Sequence, residues 1–387
     1  MTPTRQKAVT AYRAQFGQPP RFVSRAPGRL NLIGGLTDYN HGFVLPMAIE
    51  RSVWMAFTPR EDAVVRLYST TFDARISFSL AYLSKNVGWQ EYIKGVAWAY
   101  AEAGLPPRGF DAAIAGNVPR GAGLSSSAAL EMAAALTVTT AAGHPWDAVE
   151  AARMCTLAEN EWVGVNSGIM DQLIAGLGQK GHALLIDCRT VETTPVPLPA
   201  ELAPVILDTG TRRSLAHSEF NTRRAECEAA AARLGVPYLR DATPEEVEAH
   251  RNTLPTALYK RARHITTENR RVKAAFHALQ NANPTRLGQL MTASHRSLSR
   301  DFEVSSPALD AMVTCALDHP ACYGACLTGA GFAGCCVAVV QRAGVAAFIE
   351  EVSACYKAET GYTPTLAVSQ PSQGASLDST PAHNDLQ

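Results

Sequence analysis

Charge of one sign is what this chain most plainly lacks: 35 basic side chains are matched by 35 acidic ones, and charged residues are only 18% of the 387. A balance of zero leaves no electrostatic footprint for nucleic acid or an anionic membrane surface. No apolar run approaches the roughly 20 residues of a membrane-spanning helix. The opening stretch MTPTRQKAVTAYRAQFG reads as a polar entry into a helix, without the apolar centre of a secretory signal. The nine cysteines show no spacing of a disulfide framework. Cys335 and Cys336 adjoin in an apolar strand-like run, where neighbours point to opposite faces, so they read as packing residues and not as ligands of one metal. Internal repeats are absent. These absences predict a soluble, cytoplasmic protein whose partners are small molecules; a monomer is expected, though no residue pattern sets the oligomeric state.

What is present is apolar: hydrophobic residues make up 47%, and the length suggests two domains or one large one. Short strand-like runs, such as Gly109–Pro119, His182–Cys188, Pro204–Gly210 and Cys335–Val340, alternate with helical stretches, which predicts a mixed α and β fold. The segment TVETTPVPLPAELAP is rich in proline, so residues near 190 to 203 read as a linker or domain edge. Downstream, LAHSEFNTRRAECEAAAARLG reads as a helix closed by Gly235. The last stretch, SLDSTPAHNDLQ, lacks periodicity and reads as a loose tail.

Three segments carry candidate chemistry. In RGAGLSSSAALEMAAAL (Arg120–Leu136) a glycine turn and a triple serine precede strong helix formers. One serine suffices as N-cap, and no glutamate follows three residues later to complete a capping box. A glycine-rich turn feeding a helix N-terminus is also an anion site, because unpaired N–H groups and the helix dipole converge there. An ordinary turn into a buried alanine-rich helix ending at Gly143 is the plainer reading. In RAPGRLNLIGGLTDYNHGFVLPMAIE (Arg25–Glu50), Arg29, Asp38 and Asn40 sit among glycines and suit a polyol, whose hydroxyls each need a donor and an acceptor. Asp38 and Asn40 would equally cap a hairpin turn. In LAENEWVGVNSGIMDQLIAGLGQKGHALLIDCR (Leu157–Arg189), Asp171 lies among Ile169, Met170, Leu173 and Ile174, and a carboxylate so placed must find a partner or shift its pKa. It reads either as a structural anchor or as a functional group, and Glu159 by itself as an exposed helix residue.

The segments APGRLNLIGGLTDYN, NVPRGAGLSSSAALE, GIMDQ, LLIDCR, HSEFNTRRAEC, DFEVSSPALD and LTGAGFAGCCVAVV occur in the order found in galactokinases, and from about residue 20 to 375 the chain resembles that branch of the GHMP small-molecule kinases. The resemblance implies an α+β fold of two domains, residues 1–195 like ribosomal protein S5 domain 2 and residues 196–375 ferredoxin-like, with the active site in the cleft between them and a disordered tail over 376–387. It implies transfer of the γ-phosphoryl of ATP to the anomeric hydroxyl of a sugar. Gly121, Ala122, Gly123, Leu124, Ser125, Ser126 and Ser127 would cradle the triphosphate, with Ser127 and Glu159 on Mg²⁺, an ion that takes hard oxygen ligands. Asp171 falls on the family's catalytic aspartate and Arg29 on the arginine beside it, while Asp38, Gly168 and Asp171 would face the sugar hydroxyls.

Galactokinases typically read GEHTDYN where this chain reads GGLTDYN, so Gly35 and Leu36 stand in place of a glutamate and a histidine. Phe220 replaces the tyrosine of the YNxRR motif. This wall of the sugar site becomes apolar, and an apolar wall discriminates hydroxyls weakly. The resemblance therefore leaves L-arabinose beside galactose as a substrate, because the GG also resembles plant L-arabinokinases. A kinase for a non-sugar acceptor such as mevalonate or homoserine is opposed by Asp38, GIMDQ and DFEVSS. A non-catalytic sugar sensor is opposed by the complete GLSSSAAL, Asp171 and Arg29.

Overall fold

Thr2 accepts from the Arg5 N–H and Pro3 follows it, so helix α1 (Pro3–Phe16) starts on a local signal and stops on Gly17, whose φ is +76°. The computed structural model describes residues 2–212 and 216–379, which form eleven α-helices and twelve strands. β1 (Phe22–Ile33), β2 (Phe43–Pro59), β3 (Val64–Ser69), β4 (Ala74–Ser79) and β5 (Phe110–Gly116) lie in one sheet in the order β1-β2-β5-β3-β4, and β6 (His182–Asp187) and β7 (Thr193–Pro197) extend it from β2. Side chains alternate across this sheet as the pleat requires. Trp54, Ala56, Ala113 and Ala115 face a small core under α1, whereas Met55, Phe57, Ala112 and Ile114 face the main core. On that side lie α2 (Gln90–Glu102), α3 (Ser126–Ala142), α4 (Ala148–Leu157) and α5 (Met170–Leu177).

β8 (Leu202–Asp208), β9 (Cys322–Leu327), β10 (Cys335–Gln341) and β11 (Thr365–Val368) make a second, antiparallel sheet in the order β11-β8-β10-β9. Its half of the chain carries α6 (Ala216–Leu234), α7 (Pro244–Ala249), α8 (Thr256–Gln280), α9 (Pro284–Arg300), α10 (Pro307–Asp318) and α11 (Val345–Thr360). Cys335 and Cys336 are both fully buried in β10, as packing residues on a strand covered on both faces.

Three expectations change. The proline-rich stretch near 190–203 contains β7, a strand paired only with β6, so Pro195 and Pro197 sit at an edge that needs no further donor. The expected loose tail begins with β12 (Ser376–Ser379), paired antiparallel to β1 and tied by an Arg5–Asp378 ion pair, while residues 380–387 lie outside the described ones. Cys315 of α10 and Cys355 of α11 form a disulfide across 40 positions, a pairing set by helix packing and invisible in spacing. Among the described residues no helix is long and apolar enough to cross a membrane.

Candidate active site

The glycine turn between β5 and α3 is built by close backbone approach. Gly121, Gly123 and Ser125 all have positive φ, and a Cβ on Gly123 would come within 2.9 Å of the Thr328 carbonyl. Gly329 and Gly334 press on the same turn from the second half, against Gly123 and Ala122. Only residues without side chains permit two turns to meet this way. α3 begins at Ser126 and Ser125 does not cap it: with a φ of +58° its hydroxyl leaves the helix end and donates to Asp171 Oδ2. The first-turn amides of α3 keep no side-chain cap, which is the arrangement an anion uses.

Arg29 reaches this turn from below. The β1–β2 register slips between Pro27 and Arg29, and Gly28 lies where a Cβ would come within 2.6 Å of the Leu124 carbonyl. The Arg29 guanidinium, 4% exposed, grips both Asp171 oxygens (Nε–Oδ1 2.7 Å, Nη2–Oδ2 2.9 Å) and donates to the Gly123 carbonyl at 2.5 Å. Such a fork fixes the carboxylate in position and orientation. Asp171 thus abuts the glycine turn from the first residue of α5 after Met170.

Asp38 opens a short 3₁₀ turn, Asp38–Asn40, and faces the same cavity. Its pKa rises to about 6, chiefly because it is buried and further because Asp171 is near, with the Tyr39 N–H and Arg29 opposing. Gly168 packs so closely that a Cβ there would fall on the Asp38 carboxyl. Glu159 is buried on a π-helical turn, Ala158–Val163, and not exposed as its local sequence suggests. It accepts from Ser167 Oγ at 2.6 Å and Gln172 Nε2 at 3.0 Å, and it hydrogen-bonds Ser127; burial nevertheless raises its pKa.

These groups enclose a cavity of about 340 Å³ lined by Arg29, Asp38, Glu159, Gly168 and Asp171, by Gly121, Gly123, Leu124 and Ser125–Ser127, and on one wall by Gly35, Leu36 and Phe220. Two candidates fall elsewhere. Ala122 is fully buried beneath the turn against Gly334 and does not line the cavity, since its side chain points to the core. Asn40 is buried inside its own loop, with Nδ2 directed at the Leu36 carbonyl. The apolar wall is as the sequence implies, with Phe220 also meeting Tyr39 edge-on at 5.3 Å. The space at Gly35 is filled from behind: a Cβ would meet Leu298 of α9 at 3.1 Å.

Sequence reasoning missed two features. Glu131 of α3 is fully buried and shares Gln172 with Glu159, the Gln172 Nε2 standing 3.0 Å from each carboxylate. It reads in sequence as one more helix former. A second cleft of about 600 Å³ joins the first through Tyr92, Pro119, Ser126 and Ser127. It holds Phe72 and Trp89, stacked 5.8 Å apart and 6° from parallel, with the Arg120 guanidinium over Phe72 at 4.6 Å. The exposed apolar Phe72 is its only local signal, because the slot draws on elements far apart in the chain.

Comparison with known proteins agrees with this geometry. A galactokinase galactose-binding signature matches residues 10–59, the GHMP kinases N terminal domain residues 91–179 and the GHMP kinases C terminal region residues 275–358. A galactokinase of Roseiflexus sp. (strain RS-1) is 44% identical over 94% of both chains, and one of Chloroflexus aurantiacus is 44% identical over 91% of this chain and 92% of its own. Among solved structures, a Lactococcus lactis galactokinase complexed with galactose superposes with a TM-score of 0.92 at 35% identity, covering 95% of this chain and 98% of that one. A Methanococcus jannaschii mevalonate kinase, 16% identical with a TM-score of 0.62 over 91% of this chain and 98% of its own, shares the fold. With relatives this similar along almost the whole length, the chain belongs to the galactokinase family of GHMP kinases.

Proposed function

We propose that this kinase phosphorylates the anomeric hydroxyl of galactose with ATP, in the cavity where Arg29, Asp171 and the glycine turn meet. The observation that carries the reading is the Arg29–Asp171 fork, touching the turn at the Gly123 carbonyl and at Ser125. The amides of residues 121–127 and the start of α3 hold the β- and γ-phosphates. The second cleft, lined by the stacked Phe72 and Trp89, takes the adenine, whose flat face suits an aromatic wall. Asp38 and the Gly168 backbone orient the sugar. Arg29 fixes both Asp171 oxygens, and Asp171 accepts the C1 hydroxyl proton as that oxygen bonds to the γ-phosphorus. The bond to the bridging oxygen breaks and ADP leaves with the electron pair.

Ser127 and Glu159 offer a hydroxyl and a carboxylate, a hard oxygen pair suited to Mg²⁺ that draws its remaining ligands from phosphate and water. Burial penalises the Glu159 charge, and a cation beside it would relieve that penalty. Among the described residues no group of three or more acidic, histidine or cysteine side chains could hold a metal alone, so the ion would arrive with the nucleotide. When bound it neutralises charge on the phosphates.

The test is Asp171→Asn. ATP binding is retained and turnover falls roughly 10²–10⁴-fold, the range of a lost general base; undiminished turnover refutes the assignment. An ATP-consumption assay with galactose, L-arabinose and 6-deoxygalactose measures what the Leu36–Phe220 wall does to selectivity, and galactose is expected to lead.

A further inference from the structure

The loop that carries Asp38 runs from Gly34 to Phe43, and two of its non-glycine residues, Leu36 (φ +65°) and His41 (φ +54°), are left-handed. Such residues persist only where their surroundings over-determine them. Within the loop, Thr37 Oγ1 lies 3.1 Å from the Gly34 carbonyl and 2.7 Å from the Phe43 carbonyl, closing the loop on itself. The Cys188 N–H donates to the Gly42 carbonyl at 2.9 Å and Arg240 to the His41 carbonyl, and both ends of the loop are further held by α8. Glu268 Oε1 accepts from the Gly34 N–H at 2.9 Å, His264 Nε2 donates to the Gly35 carbonyl at 3.0 Å, and Asn269 Oδ1 accepts from the Phe43 N–H at 2.9 Å. Residues 264, 268 and 269 all belong to α8, so a single rigid element holds both ends of the loop.

The grip is itself braced. Glu268 also accepts from Ser294 Oγ at 2.5 Å and Arg271 Nε at 2.6 Å. His264 is fully buried, and burial lowers its pKa to about 4, so the ring is neutral. A carbonyl only accepts, so the ring proton sits on Nε2 and Nδ1 is an acceptor facing Ser297 Oγ, 2.9 Å away, whose one hydroxyl proton is shared between Nδ1 and Asp301 Oδ2 at 3.1 Å. The fit leaves no slack: a Cβ on Gly42 would lie 2.5 Å from Asn269 Oδ1, and one on Gly34 would lie 2.9 Å from Val272. None of the three α8 residues lines the cavity.

We propose that His264, Glu268 and Asn269 are positioning residues for sugar recognition, which hold the Asp38 loop from behind by its backbone and never touch the sugar. The inference rests on the proposed role of Asp38. Its consequence is that sugar affinity depends on α8 while nucleotide affinity does not.

The experiment uses the full chain with His264→Ala, His264→Gln and Asn269→Leu, measuring KM for galactose and for ATP, kcat, and Tm. His264→Ala and Asn269→Leu are expected to raise the galactose KM roughly tenfold, as for one lost buried hydrogen bond, and to leave the ATP KM within about twofold. His264→Gln, whose Nε2 also donates, recovers most of the loss. Should His264→Ala fail to fold, Asn269→Leu and His264→Gln carry the comparison. An unchanged galactose KM, an equal rise in both KM values, or glutamine no better than alanine overturns the proposal. Asp38→Ala separates the two levels. If it leaves the galactose KM unchanged, the role of Asp38 is wrong. If it abolishes galactose turnover while the α8 variants do nothing, only the positioning role is wrong.

Discussion

Asp38→Asn is expected to stabilise the ligand-free protein while crippling it. In the folded chain the Asp38 carboxyl titrates at about 6 instead of 3.8, because burial and then the Asp171 charge disfavour its ionised form. The folded state therefore binds this proton more tightly than the unfolded state, and stability falls as pH rises from about 4 through about 6. At pH 8 the shift amounts to about 3 kcal/mol at most, at roughly 1.4 kcal/mol per pKa unit. Relaxation and the open side toward the cavity reduce this to about 1–3 kcal/mol. Asparagine keeps the shape without the charge. A chain of 387 residues unfolds with an entropy of about 0.8 kcal/mol/K, so the gain at pH 8 is about 1–4 °C in Tm. The gain shrinks as pH drops through 6 and vanishes below about 4, where both states are protonated. In the same variant the galactose KM rises at least roughly tenfold, as for a lost charged hydrogen bond. Differential scanning fluorimetry from pH 4 to 8 reads the first effect and steady-state kinetics the second. Destabilisation at pH 8, or a gain that stays constant with pH, would refute the reasoning.

Gly168→Ala places a methyl group on the Asp38 carboxyl. Its galactose KM is expected to rise more than about tenfold with the ATP KM unchanged; equal galactose kinetics would show that the two residues do not share a ligand wall. Phe72→Ala removes one ring of the stacked pair that lines the second cleft, at a residue 43% exposed. The ATP KM should rise roughly 5- to 150-fold, as for about 1–3 kcal/mol of lost stacking, with Tm nearly constant. An unaltered ATP KM would move the base to another surface.

Local order was written in the sequence because its causes are local. Thr2, Pro3 and Gly17 bound α1, and Gly143 ends α3. The ordered motifs marked Arg29, Asp38, Gly168, Asp171 and the glycine turn, which the fold gathers around one cavity. Tertiary structure alone decided the rest. Ser125 leaves its helix to reach Asp171, Ala122 turns into the core, Cys315 finds Cys355, and α8 takes hold of a loop more than two hundred residues earlier. A cap or a pleat depends on neighbours within a few positions, so the chain states it directly. A buried donor's partner, a carboxyl's pKa or a thiol's mate depends on which distant backbone arrives beside it, and that exists only once both sheets have formed and packed.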